Sequence, residues 1–154
     1  MEEISLKLKP IAPDEDKSDP MFDSEYCRQL LSMYNQFYPK TGFILPWVGY
    51  FVMHHEQIVG SCSFVGLPND GRVEIAYWTF SEYEGRGIAS FACKELIKIA
   101  KMHQPGIIIT ANTAPEHNAS TKILEKNGFR YSGIVQDDDI GDASQWLLRP
   151  ENTL

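Results

Sequence analysis

Apolar and polar positions along the chain change their period several times, and each period predicts an element. Residues 5–11, SLKLKPI, alternate polar and apolar side chains as a half-buried strand does. The acidic, proline-bounded stretch APDEDKSDP that follows carries no periodicity and reads as a mobile loop. From Ser24 to Phe37 the apolar Cys27, Leu30, Leu31 and Tyr34 recur at three- and four-residue steps, with Ser24 placed to cap the first turn, so a helix is expected. WVGYFVMH (47–54) and IVGSCSFVG (58–66) are rich in Val, Phe and Tyr and flank the polar turn His55-Glu56-Gln57, which predicts a hairpin. RVEIAYWTF (72–80) adds a strand after the turn Pro68-Asn69-Asp70-Gly71. A second helix over 87–102 puts Ile88, Phe91, Ala92, Leu96, Ile99 and Ala100 on one stripe and ends near Pro105-Gly106. GIIITAN is a continuous apolar run, which implies burial on both faces beside parallel neighbours with helices packed on the sheet. A third helix over 118–127 stops at Gly128, a natural left-handed cap, and FRYSGIV and SQWLLR are two further strands. The order β-α-β-β-β-α-β-α-β-β, without repeats, predicts one domain over 1–154 of the α/β (α+β) class, with a mixed sheet of about seven strands flanked by helices.

Composition narrows the function classes. At 154 residues, 43% of them apolar, a single core is expected. The net charge of −7 argues against a nucleic-acid backbone as partner and suits a cationic one, such as an amine. No apolar run approaches the roughly 18 residues that span a bilayer, and MEEISLKLKP lacks the basic-then-apolar order of a secretory signal. A cytoplasmic protein with no membrane partner is expected. Cys27, Cys62 and Cys93 are scattered and never form a CxxC pair, which fits reduced, buried thiols and gives neither a disulfide framework nor a zinc site. His54 and His55, adjacent on a strand, are expected to point to opposite faces at an exposed hairpin end and so share no metal. Asp137 to Asp139 with Asp142 lack the spacing of a calcium loop and read as a solvated acidic loop, with attraction of a cationic acceptor as the alternative.

The segment EYEGRGIASFA (82–92) carries the first chemical signal. Between a strand ending at Phe80 and a helix starting near Gly87, Gly85 and Gly87 permit backbone conformations that aim successive N–H groups inward. That concavity, with the positive end of a helix dipole, binds phosphate oxygens, and Arg86 adds a charge at the rim. GxxxxGK[ST] does not occur, and GxGxxG is only half met because Ser90 stands at the third glycine position. An ordinary strand-to-helix turn remains the bland alternative.

A second motif lies about thirty residues on. NTAPEHNASTKILEKNGF (112–129), with EIAYWTF followed by EYEGRGIA, resembles the GNAT acetyltransferase superfamily, in the branch that includes the Rim-type ribosomal-protein N-terminal acetyltransferases. Glu84, Gly87 and Ala89 occupy the three positions of that family's Q/R-x-x-G-x-G/A phosphate loop; Glu84 departs from it by placing a carboxylate beside an anionic ligand. The resemblance implies a sheet splayed between its fourth and fifth strands, with acetyl-CoA as co-substrate in the cleft and no metal. It places the pantetheine arm along Ile75, Ala76, Tyr77 and Trp78, and the pyrophosphate on Gly85, Arg86, Gly87, Ile88 and Ala89. Asn118 resembles the family asparagine that reaches the cofactor, yet is equally placed to cap its own helix. Asn112, at the end of the fifth strand, either contacts the pantetheine or closes a turn. A homodimer through sheet edges or helices is also implied as an option.

Acyl transfer to an amine needs a base, because the amine is protonated at neutral pH, and a donor for the carbonyl oxygen. Glu74 is the candidate base: by strand alternation it shares a face with Ala76, Trp78 and Phe80, where an apolar setting raises a carboxyl pKa. The alternative is a partly solvated Glu74 paired with Arg72 or a lysine. Backbone N–H groups of Ile75 to Tyr77 are the candidate oxyanion donors. Leu124 stands where many family members carry the acidic tyrosine, so Ser120 is the candidate acid, with Tyr131 and Tyr83 as others. Cys62 and Cys93 have no neighbouring histidine in sequence, which argues for direct attack and against an acyl-cysteine. The reading is an N-acetyltransferase acting on a primary amine, either a small molecule or a protein N-terminus. The alternatives are a catalytically silent acyl-CoA-binding module, or a transferase of another short acyl group.

Overall fold

A computed structural model of the chain describes residues 5–16, 18–80, 83–115, 119–137 and 141–150. Seven strands form one sheet in the order β1-β2-β3-β4-β5-β7-β6. They are β1 (Leu6–Pro10), β2 (Gly49–His54), β3 (Gln57–Phe64), β4 (Arg72–Thr79), β5 (Ile108–Thr113), β6 (Arg130–Asp137) and β7 (Gly141–Leu148). Three helices, α1 (Glu25–Thr41), α2 (Ile88–His103) and α3 (Ala119–Lys126), complete the order expected from periodicity. All strand pairs are antiparallel except β4 with β5, so the sheet is mixed. The continuous apolar run of β5 therefore has one parallel neighbour, β4, and one antiparallel neighbour, β7.

Local chemistry explains the element ends. Ser24 accepts a hydrogen bond from the Cys27 N–H at 3.1 Å and opens α1. This helix runs four residues beyond the expected Phe37, because Tyr38 is a further buried position, and it continues through Pro39 at the loss of one i→i−4 backbone bond. Gly128, at φ 91°, closes α3: Phe129 N–H reaches Leu124 O at 3.0 Å and Gly128 N–H reaches Glu125 O at 3.1 Å. The stretch expected to be a mobile loop ends in a 3-10 turn, Pro20–Phe22, capped by Asp19, and Phe22, just past that stretch, is buried 5.6 Å from the Phe51 ring. A single buried aromatic in an acidic segment has no period to reveal it.

The two histidines correct a second expectation. The β2–β3 turn has only two residues, and His55 takes a left-handed φ of 56° within it, so the His54 and His55 rings lie 4.5 Å apart instead of on opposite faces. Among the described residues no group of three or more His, Cys, Asp or Glu is placed to hold a metal ion, and no helix is long and apolar enough to cross a membrane.

Helices cover both faces of β4. Tyr26 of α1 meets Trp78 at 5.7 Å and Phe80 at 4.9 Å, so the even-numbered side chains face α1. Tyr77 lies on the other face, with Cys93 of α2 and Ser120 of α3. Strand β3 can approach β4 closely because Gly60 has no side chain; a Cβ there would sit 2.6 Å from the Trp78 carbonyl.

Candidate active site

Strand β4 is where the sheet comes apart. Its parallel register with β5 covers only Arg72 with Ile108, Val73 with Ile109 and Glu74 with Thr110. Beyond that rung β4 continues to Thr79 and β5 to Thr113 without pairing to each other. Val65 N–H donates to Glu74 O and Phe80 N–H to Val59 O, so the even residues of β4 turn their backbone groups toward β3. Ile75 and Tyr77 accordingly turn theirs into the gap left by β5. Ala76 and Trp78, expected alongside them, spend their backbone bonds on β3 and present side chains to the α1 face.

Two buried polar atoms on the gap's strands, Thr79 Oγ1 and Asn112 Oδ1, have no hydrogen-bond partner among the described residues. An unpaired buried acceptor costs about 1–3 kcal/mol, so such atoms mark places where a ligand would repay the loss. Asn112 also donates from Nδ2 to Asp137 at 3.0 Å, which ties β5 to β6 while the carbonyl end has no partner among the described residues.

The loop at the mouth of the gap has the conformation its glycines permit. Gly85 and Gly87 have φ of 79° and 81°, and a Cβ at either would meet no atom within 4 Å. Gly87 is the N-cap of α2 and supplies no side-chain cap, and the first turn holds no acidic residue. Among the described residues no side chain caps its leading N–H groups, which can serve an anion in the gap's mouth. Glu84, Gly85, Arg86 and Gly87 are exposed, Ala89 is half-buried, and Ile88 is anchored in the core. The Arg86 guanidinium sits 5.6 Å over the Tyr83 ring, which holds it beside the loop.

Glu74 is half-buried and occupies the last paired rung before the split, on the face that α1 covers. On the opposite face the Tyr77 hydroxyl donates to the backbone carbonyl of Ser120 at 3.3 Å, bridging β4 to the first turn of α3. Burial, reinforced by Cys93, pushes the Tyr77 phenol above its ordinary range, while a side-chain hydrogen bond with Ser120 opposes the shift. Sequence reasoning placed Tyr77 only through its backbone; its side-chain role needed the fold, because Ser120 is 43 positions away. Ser120 itself is half-buried at the start of α3. Leu124 is wholly enclosed in the core. Tyr131 lies on β6, 56% exposed, against Trp146, and Tyr83 is engaged with Arg86. Asn118, Asp138 and Asp139 fall outside the described residues.

All three cysteines are buried and free. Burial raises the Cys93 thiol to about 12 and lifts Cys62 further still. Neither is a nucleophile at neutral pH.

On the α1 side of β4 lies a cleft of about 540 Å³ between α1, β3 and β4. Two openings therefore meet at one strand: the gap toward β5 and this cleft, with Glu74 at the rung where the gap begins.

A family model described as an acetyltransferase (GNAT) domain matches residues 9–130. An uncharacterized N-acetyltransferase of Bacillus licheniformis, p20, is 30% identical over 87 residues, which is 56% of this chain and 49% of that protein. The chain thus spans about half the length of that curated relative. Among solved structures, RimL, a ribosomal L7/L12 alpha-N-protein acetyltransferase in complex with coenzyme A, superposes with a TM-score of 0.69 at 14% identity, covering 96% of this chain and 97% of that one. The yncA protein of Salmonella typhimurium, solved with its cofactor acetyl-CoA, gives 0.65 at 15% identity, with 97% and 96% covered. Identities this low speak to the fold.

Proposed function

The chain belongs to the GNAT acetyltransferase family, and from that premise we propose that it transfers an acetyl group from acetyl-CoA to a primary amine, by direct attack with both substrates bound. One observation carries the reading: a half-buried carboxylate, Glu74, sits at the rung where β4 and β5 separate, between the gap and the α1-side cleft. A base there reaches an amine entering from the cleft and a carbonyl lodged in the gap.

The gap fits the donor. Free N–H groups at Gly87 and the start of α2 suit a pyrophosphate, and the outward-turned backbone of Ile75 and Tyr77 suits an extended amide-bearing arm. Asn112 Oδ1, unpaired and buried, is an acceptor for an amide N–H of that arm. Bound acetyl-CoA supplies a thioester whose carbonyl accepts the amine. Glu74 removes the amine's proton, directly or through water, while the Ile75 or Tyr77 N–H holds the carbonyl oxygen. The Tyr77 hydroxyl, with Ser120 as the other candidate, gives a proton to the departing thiolate from the opposite face. The buried, unreactive thiols support direct attack over an acyl-cysteine, and free cysteines support a reducing, cytoplasmic setting.

A second reading, a silent acyl-CoA-binding module, is favoured by Leu124, which is locked in the core at the position where the family resemblance leads one to expect an acidic tyrosine. Calorimetric titration with acetyl-CoA, CoA and succinyl-CoA, beside a thiol-release assay over a panel of amines, separates the readings. Binding of acetyl-CoA with amine-dependent release is the expected result. Binding without release on any amine supports the silent module, and no binding at all sinks the phosphate-loop argument.

A further inference from the structure

The cleft on the α1 side of β4 has a composition that selects among amines. Its walls are Met33, Tyr34 and Phe37 of α1, with Val65 just past β3 and Ala76 and Trp78 of β4. Gln36, Ser61 and Ser63 bring polar side chains to its lining, which also includes Tyr77 and the buried Cys62. Ser63 Oγ is already bonded to the Phe64 carbonyl at 2.8 Å. The charged member of the lining is Lys40, a cation; no carboxylate lines the cleft among the described residues.

That charge pattern disfavours a polycation. A polyamine or aminoglycoside brings several ammonium groups, each needing a carboxylate or water, and here it would meet a lysine and aromatic walls. Desolvated apolar surface favours the opposite kind of ligand. Met33 is 50% exposed, Val65 40% and Trp78 39%, so a band of apolar side chain stands open at the cleft. The Trp78 indole is held in place edge-on by Tyr26 at 5.7 Å and Phe80 at 5.3 Å, which presents a rigid flat wall. Glu74 lies two residues along β4 from Ala76, about 7 Å by strand rise. An amine seated against Ala76 and Trp78 reaches it only through a short spacer.

Resting on the acetyltransferase reading, we infer that the acceptor is a primary amine joined by a short chain to a flat apolar body, with no second positive charge. Phenethylamine and tryptamine are probes of this class; spermidine and kanamycin are probes of the polycationic class.

The experiment measures kcat/KM for the four amines by thiol release at saturating acetyl-CoA, and their binding by calorimetry in the presence of CoA. The expected result is kcat/KM at least about tenfold higher for phenethylamine or tryptamine than for spermidine or kanamycin, the scale that apolar pocket contacts supply. Met33→Glu, on an exposed position of α1, places a carboxylate at the cleft and should narrow or reverse that ratio by about tenfold. Equal or better turnover of the polycations overturns the inference, as does a ratio unmoved by Met33→Glu. If acetyl-CoA binds and no amine is turned over, the transferase reading fails by itself. The calorimetric order of the four amines then still decides the cleft's preference, and tighter spermidine binding overturns it.

Discussion

Glu74 and Tyr77 approach the gap from opposite faces of the same strand, three positions apart, because the side-chain period of a strand is two. On the proposed mechanism, that arrangement separates the base from the acid and leaves the backbone between them for the carbonyl oxygen. Glu74→Gln keeps the shape and removes the base; kcat should fall by roughly 10²–10³-fold, and the rise of rate with pH that reports the base should flatten. Full rate across the pH profile would exclude Glu74 from that role. Tyr77→Phe removes the hydroxyl that spans to Ser120 and should lower kcat about tenfold with little change in amine KM, since a thiolate departs with modest acid help. Ser120→Ala, measured beside it, removes the side-chain contact that Tyr77 makes with Ser120 but keeps the carbonyl that accepts from Tyr77, and should cost less. Glu74 was legible from EIAYWTF alone, through alternation. Tyr77 was legible only as backbone, since nothing local links it to a helix more than forty residues downstream.

At the scale of elements, two glycines do different work. Gly87 caps α2 at φ 81° with open space around it, so Gly87→Ala meets no atom and costs only backbone strain. Its effect should fall on the N–H groups it repositions: acetyl-CoA should bind about tenfold more weakly, while the melting temperature drops by a few degrees, roughly the scale of 1–2 kcal/mol. Gly60 is the reverse case. Gly60→Ala drives a Cβ to within 2.6 Å of the Trp78 carbonyl, so β3 and β4 must part. Overpacking against backbone costs about 2–3 kcal/mol, and the melting temperature should fall by roughly 5–10 °C. Thermal melts with and without acetyl-CoA separate the two: the ligand-induced rise shrinks in the Gly87 variant and persists in the Gly60 variant. The glycine loop could be read from EYEGRGIASFA because its spacing is local. Gly60 could not, because its neighbour is fixed by sheet register across eighteen positions.

At the scale of the molecule, element order followed from periodicity, while strand order did not. Placing β7 between β5 and β6 requires FRYSGIV to lie at the edge and SQWLLR inside, and the burial of Trp146, Leu147 and Leu148 against the exposed Arg130, Tyr131 and Ser132 agrees with that choice only once the sheet is seen. The core this sheet builds is rich in protonated groups that dislike ionising. Burial raises Tyr38 and Tyr50 from an ordinary 10.0 to about 12, and Cys93 from 9.0 to about 12. Tyr34, Tyr77 and Cys62 move in the same direction for the same leading reason. Unfolding returns each group to its ordinary value, so between about pH 9 and 12 the unfolded chain holds fewer protons than the native one. Stability is then fully present below about pH 9 and is lost as pH rises through the native values. Urea midpoints should stay level from about pH 7 to 8.5 and fall steeply above 9. In a Tyr131→Phe variant, which removes the exposed phenol, the absorbance of the buried Tyr34, Tyr38 and Tyr50 as tyrosinates should appear together with the loss of far-ultraviolet dichroism in one cooperative step. In that variant, a tyrosinate signal of the size of all three buried phenols that grows gradually while the dichroism stays native would mean that water reaches these phenols in the folded protein. The core around α1 and β2 would then be looser than its burial implies.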